Sequence, residues 1–191
     1  MALPAFAQAL RHRLARLARD ERGVSAVEFA VLLPFMFLLY IGGVEVSQAV
    51  ATDRKVTMVA RSVADLVSRT TSVSDSDMTD TFNAAAAVVA PFTTSKLKVT
   101  LSSVTINAQG VAKITWSDGY NTTARAVGST VTVPAALNVA STSLIWGEVS
   151  YAYTPTIGYV LTGTMNLTDQ MYMRPRLSTC VTRVNSSGSV C

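Results

Sequence analysis

The sequence has little of what most hydrolytic and zinc enzymes use. Its one histidine, His12, precedes the first long apolar run, so the rest of the chain lacks the side chain on which serine–histidine triads and histidine-ligated zinc sites depend. Serines and threonines are abundant, but none has an evident general base beside it. We therefore expect a protein that is not an enzyme and that holds no metal and no cofactor.

Charged residues are also scarce, at 15% of the chain against about 25% in typical soluble domains. The formal net charge of +4 is concentrated at the N-terminus. Five arginines and two acids occupy the first 22 residues, whereas the chain from Val24 onward has 11 basic and 10 acidic residues. A nucleic-acid-binding domain carries its basic side chains on its folded part, so we expect no nucleic-acid partner.

Residues 1–23 form a basic leader, and Val24 to Val44 form one long apolar run. This run has a single charge, Glu28, in 21 positions, and about 20 apolar residues span a bilayer. Because arginines precede the run, the positive-inside rule places the N-terminus in the cytoplasm and the rest of the chain outside. Glu45 then marks the outer end of the transmembrane segment or, alternatively, makes a contact between subunits.

Helical periodicity continues beyond the apolar run to residue 69. The stripe that carries it consists of Val56, Val59, Val63, Leu66 and Val67. On another face, Arg61 and Asp65 have the spacing of an i,i+4 ion pair. The sequence therefore predicts one helix over residues 24–69, with a transmembrane half and an amphipathic half.

A second helix is expected from about residue 77 to residue 90. Ser76 precedes it as a candidate N-cap, and Pro91 follows its end. Its buried face is expected to consist of Met78, Phe82, Ala85 and Val89.

From residue 96 the apolar period changes to two, which predicts β-strands. Three strand features are expected: a bulge near Ser102-Ser103, a turn at Asp118-Gly119 and a break at Gly147 in a long strand over 143–155. Ala112, Ile114 and Trp116 are expected to share one face, Trp116 and Trp146 to be core residues, and residues 166–176 to supply the last strand. The fold class is therefore α+β: a long N-terminal transmembrane helix that continues into a small head, residues 70–191, of antiparallel strands with one extra helix and a short C-terminal tail.

The two cysteines, Cys180 and Cys191, lie in the last dozen residues. In an oxidising compartment they could close a small disulfide loop. The alternative is two free thiols on a flexible tail, since "VNSSGSVC" is rich in small polar residues.

The N-terminus also permits two ordinary interpretations. The basic region, the apolar core and the small residues "AVA" at 49–51 fit a secretory signal cleaved near Ala51, which predicts a secreted adhesin or enzyme. An uncleaved apolar run instead predicts a signal-anchored periplasmic binding module. The length of the apolar run, Glu45 between that run and the cleavage site, and the helical stripe through residue 51 argue against ordinary signal cleavage.

A third interpretation accounts for "RDERGVSAVEFAVLLP", residues 19–34. A basic leader ends at Gly23, and an acid–aromatic pair, Glu28 and Phe29, follows five and six residues later at the start of the apolar helix. This arrangement resembles the class III signal of type IV pilins and pseudopilins. The stretch over 19–50 is similar to the TadE-like (TadE/TadF/TadG) proteins of the Tad/Flp type IV pilus system, and "EVSYAYTP" and "MRPR" resemble the end of such proteins.

The resemblance implies a minor pseudopilin, because the head is longer than that of a major Flp pilin. It implies that a prepilin peptidase cuts between Gly23 and Val24, and that the product sits in the inner membrane with its head in the periplasm or in a pilus that serves adhesion. The implied partners are the membrane, the prepilin peptidase, the major Flp pilin, other pseudopilins and the inner-membrane platform of the Tad system.

Glu28 has a physical role in this interpretation. A carboxylate in lipid costs on the order of 2.5–3.5 kcal/mol by insertion scales, and cleavage would create an ammonium at Val24 that could neutralise it. The partner amine could belong to a neighbouring subunit or to the same chain, one turn away. The alternative is that Glu28 reaches the cytoplasmic interface.

Overall fold

A computed structural model describes residues 22–155, 157–158, 162–185 and 188–191. Residues 1–21 of the predicted basic leader, including His12 and every leader arginine except Arg22, lie outside the described residues. The chain forms one long helix followed by an α+β head, which confirms the predicted fold class.

The first helix, α1, spans Arg22–Ser68 and has 47 residues. At 1.5 Å per residue it is about 70 Å long. Its first half projects from the head, and its second half lies in the head's core, where Val56, Val59, Val63 and Val67 are buried. Leu66, predicted in the same stripe, is instead 45% exposed, because it lies one position off the face that meets the sheet.

The ion pair predicted between Arg61 and Asp65 is wrong. Asp65 pairs instead with Arg69, at 2.6 Å, and with Arg176, also at 2.6 Å. The backbone N–H of Arg176 also donates to the carbonyl of Ser68 at 2.8 Å. The end of α1 is thus tied to a distant part of the chain that local spacing does not reveal.

The second helix, α2, spans Asp75–Val89, and its N-cap is Ser74 rather than the predicted Ser76. Ser74 and Asp77 form a capping box, in which each side chain accepts a hydrogen bond from the other's backbone N–H. The predicted buried face of α2 is confirmed. Lys55 of α1 donates to the carbonyls of Val88 and Ala90 at the other end of α2, at 3.0 and 2.5 Å.

The remaining elements are β1 (Ser72–Val73), a 3₁₀ turn (Thr94–Lys96), β2 (Leu97–Ile106), β3 (Ala112–Tyr120), β4 (Thr130–Val131), a second 3₁₀ turn (Ala135–Leu137), β5 (Thr142–Tyr153), β6 (Met165–Met173), β7 (Thr182–Asn185) and β8 (Gly188–Val190). Five strands form an antiparallel sheet in the order β4-β3-β2-β5-β6. The other three form a small sheet in the order β1-β7-β8, in which β1 and β7 are parallel.

The larger sheet has two different faces. Its inner face packs against α1 and α2 around Leu97, Val99, Leu101, Val149 and Tyr151. At one end of its outer face, a smaller apolar cluster is covered by the chain around Val133. The two layers of helix and sheet follow from the alternation of apolar residues along each strand.

A bulge is confirmed where β2 meets β3. Ser103 pairs with Trp116 but Val104 pairs with Ile114, so Thr115 is the extra residue. Ala112, Ile114 and Trp116 are therefore all buried but do not share a face: Trp116 belongs to the inner cluster, and the other two belong to the outer one.

Two predicted interruptions of strands are wrong. Asp118 and Gly119 lie inside β3, paired with Leu101 and Thr100, and do not form a turn. Gly147 lies inside a continuous β5, where its missing side chain leaves room for α1 rather than breaking the strand. The C-terminal tail is also more ordered than its composition suggests, since it contributes β7 and β8.

Candidate membrane and assembly segment

The first half of α1 carries the residues of the pilin-like motif. Gly23 lies in the first turn, and Val24 and Glu28 follow one turn apart on one face. Every residue from 23 to 40 is exposed, Phe29 included. A Cβ built on Gly23 would have no atom within 4 Å, so the fold supplies no packing reason for a glycine there.

This projecting segment is long and apolar enough to cross a membrane. Val24 to Val44 extends for about 31 Å at 1.5 Å per residue, close to the roughly 30 Å thickness of a bilayer's hydrocarbon core. Glu28 is the only charged residue in it. Pro34 lies within the helix, where it removes one backbone hydrogen bond, a defect that membrane helices commonly accommodate.

Glu45 does not mark an exposed boundary. It is 1% exposed and is the first residue of α1 that the head buries. Burial of the phenol, and then the nearby charge of Glu45, raise the pKa of Tyr153, the last residue of β5. Glu45 therefore lies inside its own subunit, against the end of β5 and directly after the apolar run, and its role at the membrane boundary or between subunits stays a prediction.

The C-terminal segment contains the disulfide that the sequence offered as one of two alternatives, and it is fastened to the head by contacts that sequence reasoning missed. Cys180 and Cys191 form a disulfide that encloses β7 and β8. Trp116 Nε1 donates to the Val181 carbonyl at 2.7 Å. Arg183, 5% exposed, bonds both carboxylate oxygens of Asp118 at 2.9 and 3.1 Å.

Arg183 also donates to Asp75 at 2.6 Å and to the carbonyls of Val73 and Val184. The hydrogen bonds from Arg183 to Asp118 raise the pKa of the guanidinium, although burial opposes them. This one side chain thus joins β7, β3 and the start of α2. The arginine has no local partner in the sequence, so no spacing rule could have found the cluster.

A polar groove of about 550 Å³ lies on the uncovered part of the sheet's outer face, and its walls include Lys98, Thr100, Glu148, Ser150, Thr168 and Gln170. Arg125 forms a two-bond ion pair with Glu148, at 2.6 and 2.7 Å, which raises the pKa of Arg125. Trp146 lies 4.2 Å beneath the Arg125 guanidinium and stacks on Tyr172. Both tryptophans are buried, as predicted.

The described residues contain no group of three or more His, Cys, Asp or Glu side chains that could hold a metal ion. In the groove, Glu148 is paired with Arg125. The exposed apolar half of α1 carries the pilin-like motif and is the candidate functional segment.

Comparison with known proteins relates this segment, and not the head, to a family. The family model described as TadE-like protein matches residues 23–65, from the first turn of α1 almost to its end. Searches among curated proteins and among solved structures found no significant match. Over residues 23–65, the long helix of this chain is thus similar to the TadE-like family.

Proposed function

We propose that this chain is a minor pseudopilin that takes part in assembling a Tad/Flp pilus. The TadE-like family associates it with the Tad pilus system. The observation that supports the finer role is the projecting half of α1: an apolar helix exposed on all sides, with one carboxylate one turn after Val24. Such a surface requires lipid or other apolar helices around it.

The proposed precursor is cut between Gly23 and Val24 by a prepilin peptidase. The family match begins at Gly23, and the fold gives that glycine no packing role. A residue without a side chain allows a protease to approach the backbone closely. Because Gly23 lies in the first helical turn, this turn has to unwind for an extended backbone to enter the peptidase.

The proposed topology is a single pass through the inner membrane, with the N-terminus in the cytoplasm and the head in the periplasm. The arginine-rich leader supports this orientation through the positive-inside rule. The Cys180–Cys191 disulfide supports it independently, because disulfides persist in the periplasm and are rare in the cytosol.

Glu28 is proposed to pair with the Val24 ammonium that cleavage creates. In lipid the attraction between opposite charges is much stronger than in water, and a pair formed between neighbouring subunits would fix the axial register of their helices. The proposed role is therefore assembly and not catalysis. The proposed partners are the major Flp pilin, sibling pseudopilins and the Tad platform.

The deciding experiment is to determine the N-terminus of the mature protein from cells with an active prepilin peptidase. We expect Val24, and we expect Met1 in matched cells whose peptidase is inactive. Met1 in both strains would overturn the pseudopilin assignment in favour of an anchored binding module. Thr52 would identify a secreted protein.

A further inference from the structure

The helix α1 and the strand β5 lie side by side and run in opposite directions. Glu45 lies near Tyr153, at the end of β5. Further along, the backbone of Gly147 in the middle of β5 faces Ala60. Between these two contacts the helix segment 45–60 is about 22 Å long and the strand segment 147–153 is about 20 Å long, so the two segments match in length. The end of the head where β5 finishes is therefore the end from which the apolar half of α1 projects.

This end of the head, which we call the proximal rim, comprises residues 91–98, 120–124 and 153–155. Strand register brings them together, since Leu97 pairs with Tyr151 and Val99 pairs with Tyr120. The rim carries two lysines, Lys96 and Lys98. Neither these segments nor the whole stretch 151–165 contains an aspartate or glutamate in the sequence.

The register also gives the height of the two lysines. If Val24 to Val44 fills the hydrocarbon core, Glu45 and Tyr153 lie at its outer edge. Lys96 precedes Leu97 and is level with Ala152, and Lys98 pairs with Ser150, so their backbones lie about 3 and 10 Å above Tyr153. The headgroup layer on each side of a bilayer is about 5–7 Å thick. Both ammonium groups can thus reach lipid phosphates.

The acids of the head lie farther from this edge. Apart from the buried Glu45, the nearest described carboxylates are Asp53, about 12 Å along α1, and Asp169, which pairs with Val149 and is about 13 Å along the sheet. Asp75 and Asp77 lie in the first turn of α2, at the opposite end of that helix from the rim. Lys96 and Lys98 therefore lie closer to this edge than Asp53 and Asp169 do.

We propose that the proximal rim docks on anionic phospholipid headgroups through Lys96 and Lys98. The proposal rests on the membrane-spanning part of the proposed function, and not on the pilus role. Lys96 is already oriented toward the end of β5 by a 3.1 Å hydrogen bond to the Thr154 hydroxyl, and Lys98 is exposed. The serine and threonine side chains around them suit a headgroup layer, where hydroxyl donors meet phosphate oxygens.

The test uses the full chain in lipid nanodiscs of pure phosphatidylcholine and in nanodiscs that also contain phosphatidylglycerol. Amide hydrogen exchange is followed at residues 91–98. Each lysine near an anionic surface favours the docked state by about fivefold, so the two favour it by about thirtyfold. We expect several-fold slower exchange in the anionic nanodiscs, lost in Lys96→Gln/Lys98→Gln. Lys113→Gln, which removes an exposed lysine from the other end of the sheet, should behave as wild type.

Each result decides the proposal. Equal exchange in both lipids, or slowing that persists in the double variant, would overturn the docking of the rim while leaving the membrane helix intact. Slow exchange already present in detergent would assign the rim to a protein contact and would also overturn it. Failure of the chain to enter nanodiscs would overturn the membrane anchor and the rim together.

Discussion

The backbone of Gly147 in β5 faces the carbonyl oxygen of Ala60 in α1, and a Cβ built on the glycine would lie 3.1 Å from that oxygen. The same Cβ would lie 3.2 Å from a methyl group of Val63. The contact is therefore between the backbones of Gly147 and Ala60. Neither backbone can move aside as the end of a flexible side chain can. Gly147 allows the helix to lie directly on the sheet.

Gly147→Ala is expected to lower the free energy of unfolding by about 1–3 kcal/mol, the usual effect of overpacking a core. Urea unfolding of the detergent-solubilised protein measures it. The matched control is Gly43→Ala in α1. A Cβ added there meets no atom within 4 Å, so the free energy of unfolding should not fall. Equal effects of the two variants would contradict the close packing of α1 on β5.

Ser74→Ala should remove the N-cap of α2 and lower the free energy of unfolding by about 0.5–2 kcal/mol. Ser76→Ala, at the N-cap position predicted from the sequence, should have a much smaller effect. The Ser76 hydroxyl is hydrogen-bonded to the Ser74 hydroxyl and not to a backbone N–H of the first turn. Thermal unfolding of the two variants distinguishes the caps. A larger loss for Ser76→Ala would contradict the capping box.

The same cap has a pH signature. Hydrogen bonds from the Ser74 hydroxyl and then from its backbone N–H lower the pKa of Asp77 below 3.8. Because the folded-state pKa is the lower one, this stabilisation is complete above about pH 3.8 and is lost as the pH falls through the folded-state value. Ser74→Ala should move the pKa of Asp77 back toward 3.8, as measured by NMR titration of its carboxyl carbon.

Cys180→Ser should destabilise the C-terminal sheet, since the disulfide closes a loop that contains β7 and β8. Loops of this length give a stabilisation of about 2–4 kcal/mol. Trp116 reports the change through its fluorescence, because its indole N–H bonds Val181. Cys191→Ser should have the same effect, and the double variant should add little; additive losses would contradict a shared bond.

Gly23→Leu should block processing while leaving membrane insertion intact, because a branched side chain obstructs a protease that needs close access to the backbone. Immunoblots of membrane fractions separate precursor from mature protein. Gly23→Ala is the control and should still be processed, since alanine can precede the cut in the pilin signals that this one resembles. Normal processing of Gly23→Leu would count against the assigned site.

Glu28→Ala should be cleaved normally yet assemble poorly, because the Val24 ammonium then lacks its carboxylate partner. Glu28→Gln, which keeps the shape and removes the charge, should show the same defect. Sheared-pilus yield, compared with the amount of mature protein in the membrane, measures the two steps separately. Wild-type piliation by both variants would exclude the charge pair.

Local periodicity predicts the elements whose residues repeat regularly. The valines of α1, the buried face of α2 and the alternation through Leu97, Val99 and Leu101 all appear as expected. The pilin-like motif could be recognised from the sequence because Gly23, Glu28 and Phe29 lie within one short stretch of the chain. A glycine within a strand pattern, however, is compatible with either a break in the strand or a close approach of another backbone. At Gly147 only the folded structure, which places Ala60 of α1 beside it, distinguishes the two.

The features that sequence reasoning missed all depend on distant partners. Thr115 takes the extra position of the bulge and so moves Trp116 to the other face, which an alternating pattern alone does not show. Arg183 meets Asp118 and Asp75 only after the tail has folded back. The burial of Glu45 depends in the same way on the end of β5, which is distant in the sequence.

The continuity of α1 determines how force enters the head. Residues beyond Glu45 lie in the core of the head, and the same continuous helix forms the projecting apolar segment that is long enough to cross a membrane. A pull along the membrane segment therefore loads the contacts between α1 and the sheet in shear, all at once, instead of peeling one strand from an edge. We therefore expect the head to stay folded when the chain is pulled by its projecting helix.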